Sequence, residues 1–125
     1  MGIETHRVTI QTVDGIQLDG DLRPVDDPRA AAVLCHPHPL YGGNRFNPVV
    51  DTLFDALPAA GISALRFDFR GVGESEGQHD GGSAEKLDLA AAVDLLSMST
   101  DAPMWAVGYS FGALVALSTA HTAID

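Results

Sequence analysis

A single cysteine, Cys35, leaves nothing for an internal disulfide to join, so an oxidising compartment is not indicated. Basic residues are also scarce. Seven stand against seventeen acids, for a formal charge of −10. A surface of that sign repels phosphate backbones and anionic headgroups, so neither nucleic acid nor membrane surface is an expected partner. No apolar run approaches the roughly 20 residues of a membrane span. The segment Met1 to His6 has no basic stretch followed by an apolar one, so no secretory leader is expected, and His6 breaks the myristoylation pattern. Internal repeats and collagen-like glycine spacing are missing as well. These absences leave a cytoplasmic location as the expectation, with the net charge serving solubility.

What is present is enough apolar material for a core. The chain has 125 residues, 46% of them hydrophobic, which suits one domain and excludes a disordered tail. Val8 to Val13 and Ile16 to Leu18 alternate around Asp14-Gly15, a hairpin signal. Ala30 to Cys35 is a short continuous apolar run of the kind buried on both faces of a parallel sheet, Ile62 to Phe69 reads as a second buried strand, and Met104 to Gly108 is a third apolar run. Between them lie helical patterns. Asn47-Pro48 reads as a cap followed by proline at the first helical position, with Val50, Leu53, Phe54 and Leu57 on one face. Ser83 is the expected cap of a second helix that turns Leu89, Val93 and Leu96 inward. Phe111 to Thr122 reads as a third helix, apolar nearly all round and therefore expected to be buried. The alternation predicts an α/β fold: an antiparallel hairpin leading into a mostly parallel sheet with helices on both faces.

Sites in such sheets lie beyond the carboxyl ends of the strands. Three loops leave those ends, after Cys35, after Phe67 and after Gly108, and unusual residues cluster in all three. Gly108-Tyr109-Ser110-Phe111-Gly112 matches G-x-S-x-G between a strand and a helix. The residue types follow from the geometry. A sharp turn projects the Ser110 hydroxyl and brings its neighbours close, so Gly108 and Gly112 must be small. The Phe111 N–H then opens a helix, where negative charge is favoured, and can donate to an oxyanion.

Asp68-Phe69-Arg70-Gly71-Val72-Gly73-Glu74-Ser75 and His36-Pro37-His38-Pro39-Leu40-Tyr41-Gly42-Gly43 extend the match. With the elbow, they make the chain resemble the N-terminal part of the α/β-hydrolase superfamily, in the H-P-H-P variant similar to dienelactone-hydrolase-like and serine-aminopeptidase-like enzymes. The resemblance implies a serine hydrolase acting on a carboxylic ester or related acyl bond of a small molecule, through an acyl-enzyme and without a cofactor. It implies Ser110 as nucleophile and His38 as the second oxyanion donor, with Leu40 as the alternative, because Pro39 has no N–H. His36, Asp68 and Arg70 are then loop-bracing residues, the latter two through a buried or half-buried ion pair, and Ser75 and Asp80 cap loops.

In this fold the acid and the histidine of the triad follow the serine. Fifteen residues follow Ser110, and they hold one acid, Asp125, and one histidine, His121, in the wrong order. His121 lies roughly 16 Å along a helix from Ser110, out of reach. The expectation is a single incomplete domain, residues 1–125, with little or no turnover of its own and an exposed sheet edge through which copies can associate. Two rivals remain. One is a non-catalytic hydrolase-like fragment acting by interaction. The other is a metal-dependent hydrolase using His36, His38 and Asp68. A nucleotide site is set aside, since Gly71 and Gly73 lack a third glycine at the required spacing and no P-loop lysine is present.

Overall fold

The computed structural model describes residues 4–119, 121, 123 and 124. Strands β1 (His6–Gln11) and β2 (Gln17–Arg23) form the expected antiparallel hairpin around Asp14-Gly15. Its turn is closed by Gly15 N–H to the Thr12 carbonyl at 3.0 Å and Thr12 N–H to the Ile16 carbonyl at 2.9 Å. Then come β3 (Ala30–Cys35), α1 (Pro48–Ala59), β4 (Ile62–Phe67), α2 (Glu85–Ser97), β5 (Met104–Gly108) and α3 (Phe111–Ser118). The sheet order is β1-β2-β4-β3-β5, with β2 antiparallel to β4 and the β4-β3-β5 portion parallel.

Every residue of β3 and β4 is buried, as the unbroken apolar run of β3 requires, and β4 buries Ser63 and Arg66 along with its apolar residues. Alternation along the strands splits the core in two. Ala30, Ala32, Leu34, Ile62 and Ala64 face α1 and its Val50 and Phe54. Ala31, Val33, Cys35, Leu65 and Phe67 face α2 and α3, meeting Leu89, Val93, Leu96, Phe111 and Val115. Asn47 caps α1 as expected, its side chain accepting the Val49 N–H at 3.0 Å.

Ser83 does not cap α2. The positive φ angles of Gly81 and Gly82 fold the preceding loop back, and longer carboxylates reach its free amides. Asp80 accepts the Ala84 N–H at 3.0 Å, and Glu85 accepts those of Asp80 and Gly82 at 2.8 and 3.0 Å.

The expected burial of the last helix is also corrected. α3 ends at Ser118, where the hydroxyls of Ser118 and Thr119 turn back onto the Leu114 and Val115 carbonyls. It buries Phe111, Gly112 and Val115, but leaves Leu114 58% and Leu117 89% exposed. The reason is its position. β5 is an edge strand among the described residues, so α3 has β3 and α2 on one side and no described element on the other. Ile124 bridges only the start of that edge, at Met104, and Trp105 remains 42% exposed.

Candidate active site

β5 runs beside β3 to the Cys35–Gly108 pair, and the chain then turns sharply. Tyr109 N–H donates to the Cys35 carbonyl at 3.2 Å, and Gly112 N–H to the Tyr109 carbonyl at 3.1 Å. Between them Ser110 has φ 59° and ψ −117°, a conformation that serine rarely adopts. A Cβ on Gly108 would sit 2.4 Å from the backbone of Gly112 and Ala113; one on Gly112 would sit 2.2 Å from the Cys35 carbonyl oxygen. The two glycines are thus required by contact, as the motif reading holds. The strain has a measurable consequence. Ser110→Gly is expected to stabilise the chain by about 1 kcal/mol in urea unfolding, because glycine adopts this conformation at lower cost.

Ser110 is exposed, and no described residue hydrogen-bonds its hydroxyl. The Phe111 N–H, at the start of α3, has no acceptor among the described residues. In the loop after β3 most amides are occupied. Tyr41 and Gly43 N–H donate to the His38 carbonyl, Gly42 N–H donates to that of Pro39, and Leu40 N–H donates to His38 Nδ1 at 3.0 Å. Pro37 and Pro39 have none to give. The His38 N–H has no acceptor among the described residues. The His38 and Phe111 rings meet edge-on at 5.0 Å, so the two free amides belong to residues in contact.

His36 is fully buried. Its Nδ1 lies 2.6 Å from the Pro37 carbonyl, and its Nε2 accepts the Phe69 N–H at 3.1 Å, tying the loop after β3 to that after β4. Burial pushes its pKa down to about 4, against a smaller upward pull from the Pro37 carbonyl. The neutral ring is the folded form. An unfolded chain takes up the proton near pH 6.5 and the folded one only near 4, so stability is complete above 6.5 and is lost as pH falls through that window. The loss at pH 4.5 is expected to be roughly 2–3 kcal/mol. Urea titrations at pH 7 and 4.5 check it, with a smaller difference expected in His36→Gln.

Asp68 and Arg70 do brace the loops, through separate partners. Asp68 accepts the backbone N–H of Arg45 at 2.8 Å and pairs with its guanidinium. Burial nonetheless holds the Asp68 carboxyl above its ordinary pKa. Arg45 also contacts Asp19 at 3.0 Å and Asp21 at 2.9 Å, linking the loop to β2. Arg70 binds Asp88 of α2 at 2.7 Å and Asp14 of the hairpin turn at 2.9 Å. Ser75 donates to the Asp68 carbonyl and accepts the Asp19 N–H.

These bonds dispose of the metal trio. Both His36 nitrogens and both Asp68 oxygens are engaged, and His38 Nδ1 holds the Leu40 amide. Among the described residues no group of three or more His, Cys, Asp or Glu is arranged to hold a metal ion. His121 turns away from the elbow to Asp94 of α2, at 2.7 Å, and Asp125 lies outside the described residues. Sequence reasoning missed Arg45, whose three acidic partners are scattered along the chain. It also missed His79, whose ring meets those of His38 and Phe111 at 4.5 and 5.3 Å.

The pattern of the serine aminopeptidase S33 family matches residues 26–125. The chain belongs to this family of α/β-hydrolases. An uncharacterised protein of Rickettsia prowazekii is 38% identical over 104 residues, 81% of this chain and 44% of the relative. A protein of unknown function from Agrobacterium tumefaciens, described as an α/β-hydrolase, superposes with a TM-score of 0.86 at 34% identity, covering 96% of this chain and 57% of that one. A serine hydrolase without a lid from Xanthomonas campestris gives 0.81 at 34% identity, over 94% and 56%. An esterase of Pyrococcus furiosus gives 0.86 at 28%, over 98% and 47%. The S33 chain described here spans about half the length of these relatives. No helix among its described residues is long and apolar enough to cross a membrane.

Proposed function

We propose that the chain carries the nucleophile and oxyanion half of a serine-hydrolase site acting on a carboxylic ester or related acyl bond of a small molecule. One observation carries this reading: Ser110 stands in a strained elbow beside two amides, of His38 and Phe111, that have no other acceptor. Strained backbone at a strand-to-helix turn and unspent donors are both costly to keep, and acyl transfer uses both.

The chemistry follows from the arrangement. The Ser110 oxygen adds to the acyl carbon, and the carbonyl pair moves onto oxygen to give an oxyanion. The His38 and Phe111 N–H groups hold that charge. Collapse expels the leaving group and leaves an acyl-Ser110 ester, which water cleaves. The serine proton must go to a base, and in the α/β-hydrolase order the acid and the histidine follow the nucleophile. His36 is locked in the loop bracing and His121 is held by Asp94. With no base on the Ser110 hydroxyl among the described residues, the chain by itself is expected to turn over slowly or not at all.

A fluorophosphonate tests the nucleophile without requiring turnover. Slow covalent labelling at Ser110 on prolonged exposure at alkaline pH, where hydroxide takes the serine proton, found by peptide mass spectrometry and lost in Ser110→Ala, is the expected result. A folded chain with no adduct at Ser110 would overturn the proposal and favour the non-catalytic reading.

A further inference from the structure

We propose that His79 is a positioning residue that sets the spacing of the two oxyanion amides; this rests on the hydrolase reading above. His79 lies in the loop after β4, the remaining one of the three loops at the carboxyl ends of the strands. Its ring meets the His38 ring edge-on at 4.5 Å and the Phe111 ring at 5.3 Å. The three rings form a closed triangle, since His38 and Phe111 also meet each other at 5.0 Å. Each corner stands on a different loop, and two of the corners carry the free amides. A ring wedged between them fixes their separation more firmly than either loop could alone, because edge-on ring packing has a preferred distance and direction.

The wedge is itself anchored. Glu85, fully buried at the start of α2, accepts the amides of Asp80 and Gly82 and so clamps the backbone just after His79. His79 Nδ1 lies 3.0 Å from Glu85 Oε2, buried, yet not aligned for a hydrogen bond with it or any other described group. The ring is thus held by packing on His38 and Phe111 and by the close approach of Nδ1 to the Glu85 carboxylate.

A ring whose work is packing is replaceable by another ring, and a base or a proton donor is not. The test is the second-order rate of Ser110 labelling by a fluorophosphonate in the 125-residue chain, with thermal melting measured alongside. His79→Ala is expected to slow labelling on the order of tenfold or more, the scale expected when donors shift by a fraction of an ångström. His79→Phe is expected to recover most of the rate at a similar melting temperature. Labelling of His79→Ala at the wild-type rate would overturn the inference and leave the hydrolase reading standing. A His79→Phe variant that melts as wild type but labels as slowly as His79→Ala would also overturn it, by assigning the imidazole a chemical role. Failure of the wild-type chain to label at Ser110 would instead remove the hydrolase reading on which the inference stands.

Discussion

Gly112→Ala is expected to destabilise the chain by about 3 kcal/mol and to abolish labelling at Ser110, through backbone contact alone. The added methyl would lie 2.2 Å from the Cys35 carbonyl oxygen and 2.6 Å from that of His36. Both are main-chain atoms of the central strand and its loop, and β3 is hydrogen-bonded on both sides, to β4 and β5. Neither can give way, so α3 must withdraw from the sheet. That motion carries the Phe111 amide and the Ser110 hydroxyl with it. Gly15→Ala is the control. It has a conformational demand for glycine that Gly112 lacks, φ +84°, but nothing within 4 Å of the new methyl, and is expected to cost about 1 kcal/mol and leave labelling intact. Urea unfolding followed by Trp105 fluorescence measures both. Equal losses in the two variants would mean that the contact at the elbow costs no more than a strained φ in an open turn, contradicting the contact argument.

Arg45→Met should be as damaging by a different route. Arg45 is the shared cation of Asp19, Asp21 and Asp68, all of them buried. Asp19 keeps Arg7 and Asp21 keeps Arg66 when it is removed, but Asp68 has no other ion pair among the described residues. An uncompensated buried carboxylate costs about 3–5 kcal/mol. Burial already raises the Asp68 pKa in the intact chain, and loss of the Arg45 guanidinium removes a charge and a side-chain hydrogen bond that oppose it, leaving the backbone N–H of residue 45. A raised carboxylate pKa stabilises the fold below the unfolded value and gives that up as pH rises through the folded value. The deficit of Arg45→Met is therefore expected to be large at pH 7 and to shrink toward pH 4, where Asp68 takes up a proton. Asp68→Asn added to Arg45→Met should restore part of the loss at pH 7. A deficit independent of pH would place the damage in packing against Phe46, over whose ring the guanidinium lies at 4.5 Å.

The parts of this molecule written in local code were legible from the residues. The Asp14-Gly15 hairpin, the Asn47-Pro48 cap and the unbroken apolar run of β3 each depend on neighbours in sequence, and each forms as expected. So does the elbow, because its glycines answer to contacts within a few residues or with the adjacent strand. What the residues concealed is long-range. Nothing near Arg45 in sequence announces Asp19, Asp21 and Asp68, and nothing near His79 announces His38 and Phe111. Ser83 looked like a cap because it has the right chemistry at the right place, but two left-handed glycines gave that task to Asp80 and Glu85. The burial of α3 was overestimated because apolar periodicity reports what a helix face prefers, whereas the sheet order decides what is there to cover it.

The most direct measurement is the amide proton spectrum of the phosphonylated chain. Attachment of a phosphonate to Ser110 puts an oxygen where the oxyanion of acyl transfer would form. The expected result is a downfield shift of the His38 and Phe111 amide protons, with Leu40, whose N–H is spent on His38 Nδ1, unmoved. A shift at Leu40 in place of His38, or none at either His38 or Phe111, would contradict an oxyanion site built from those two amides.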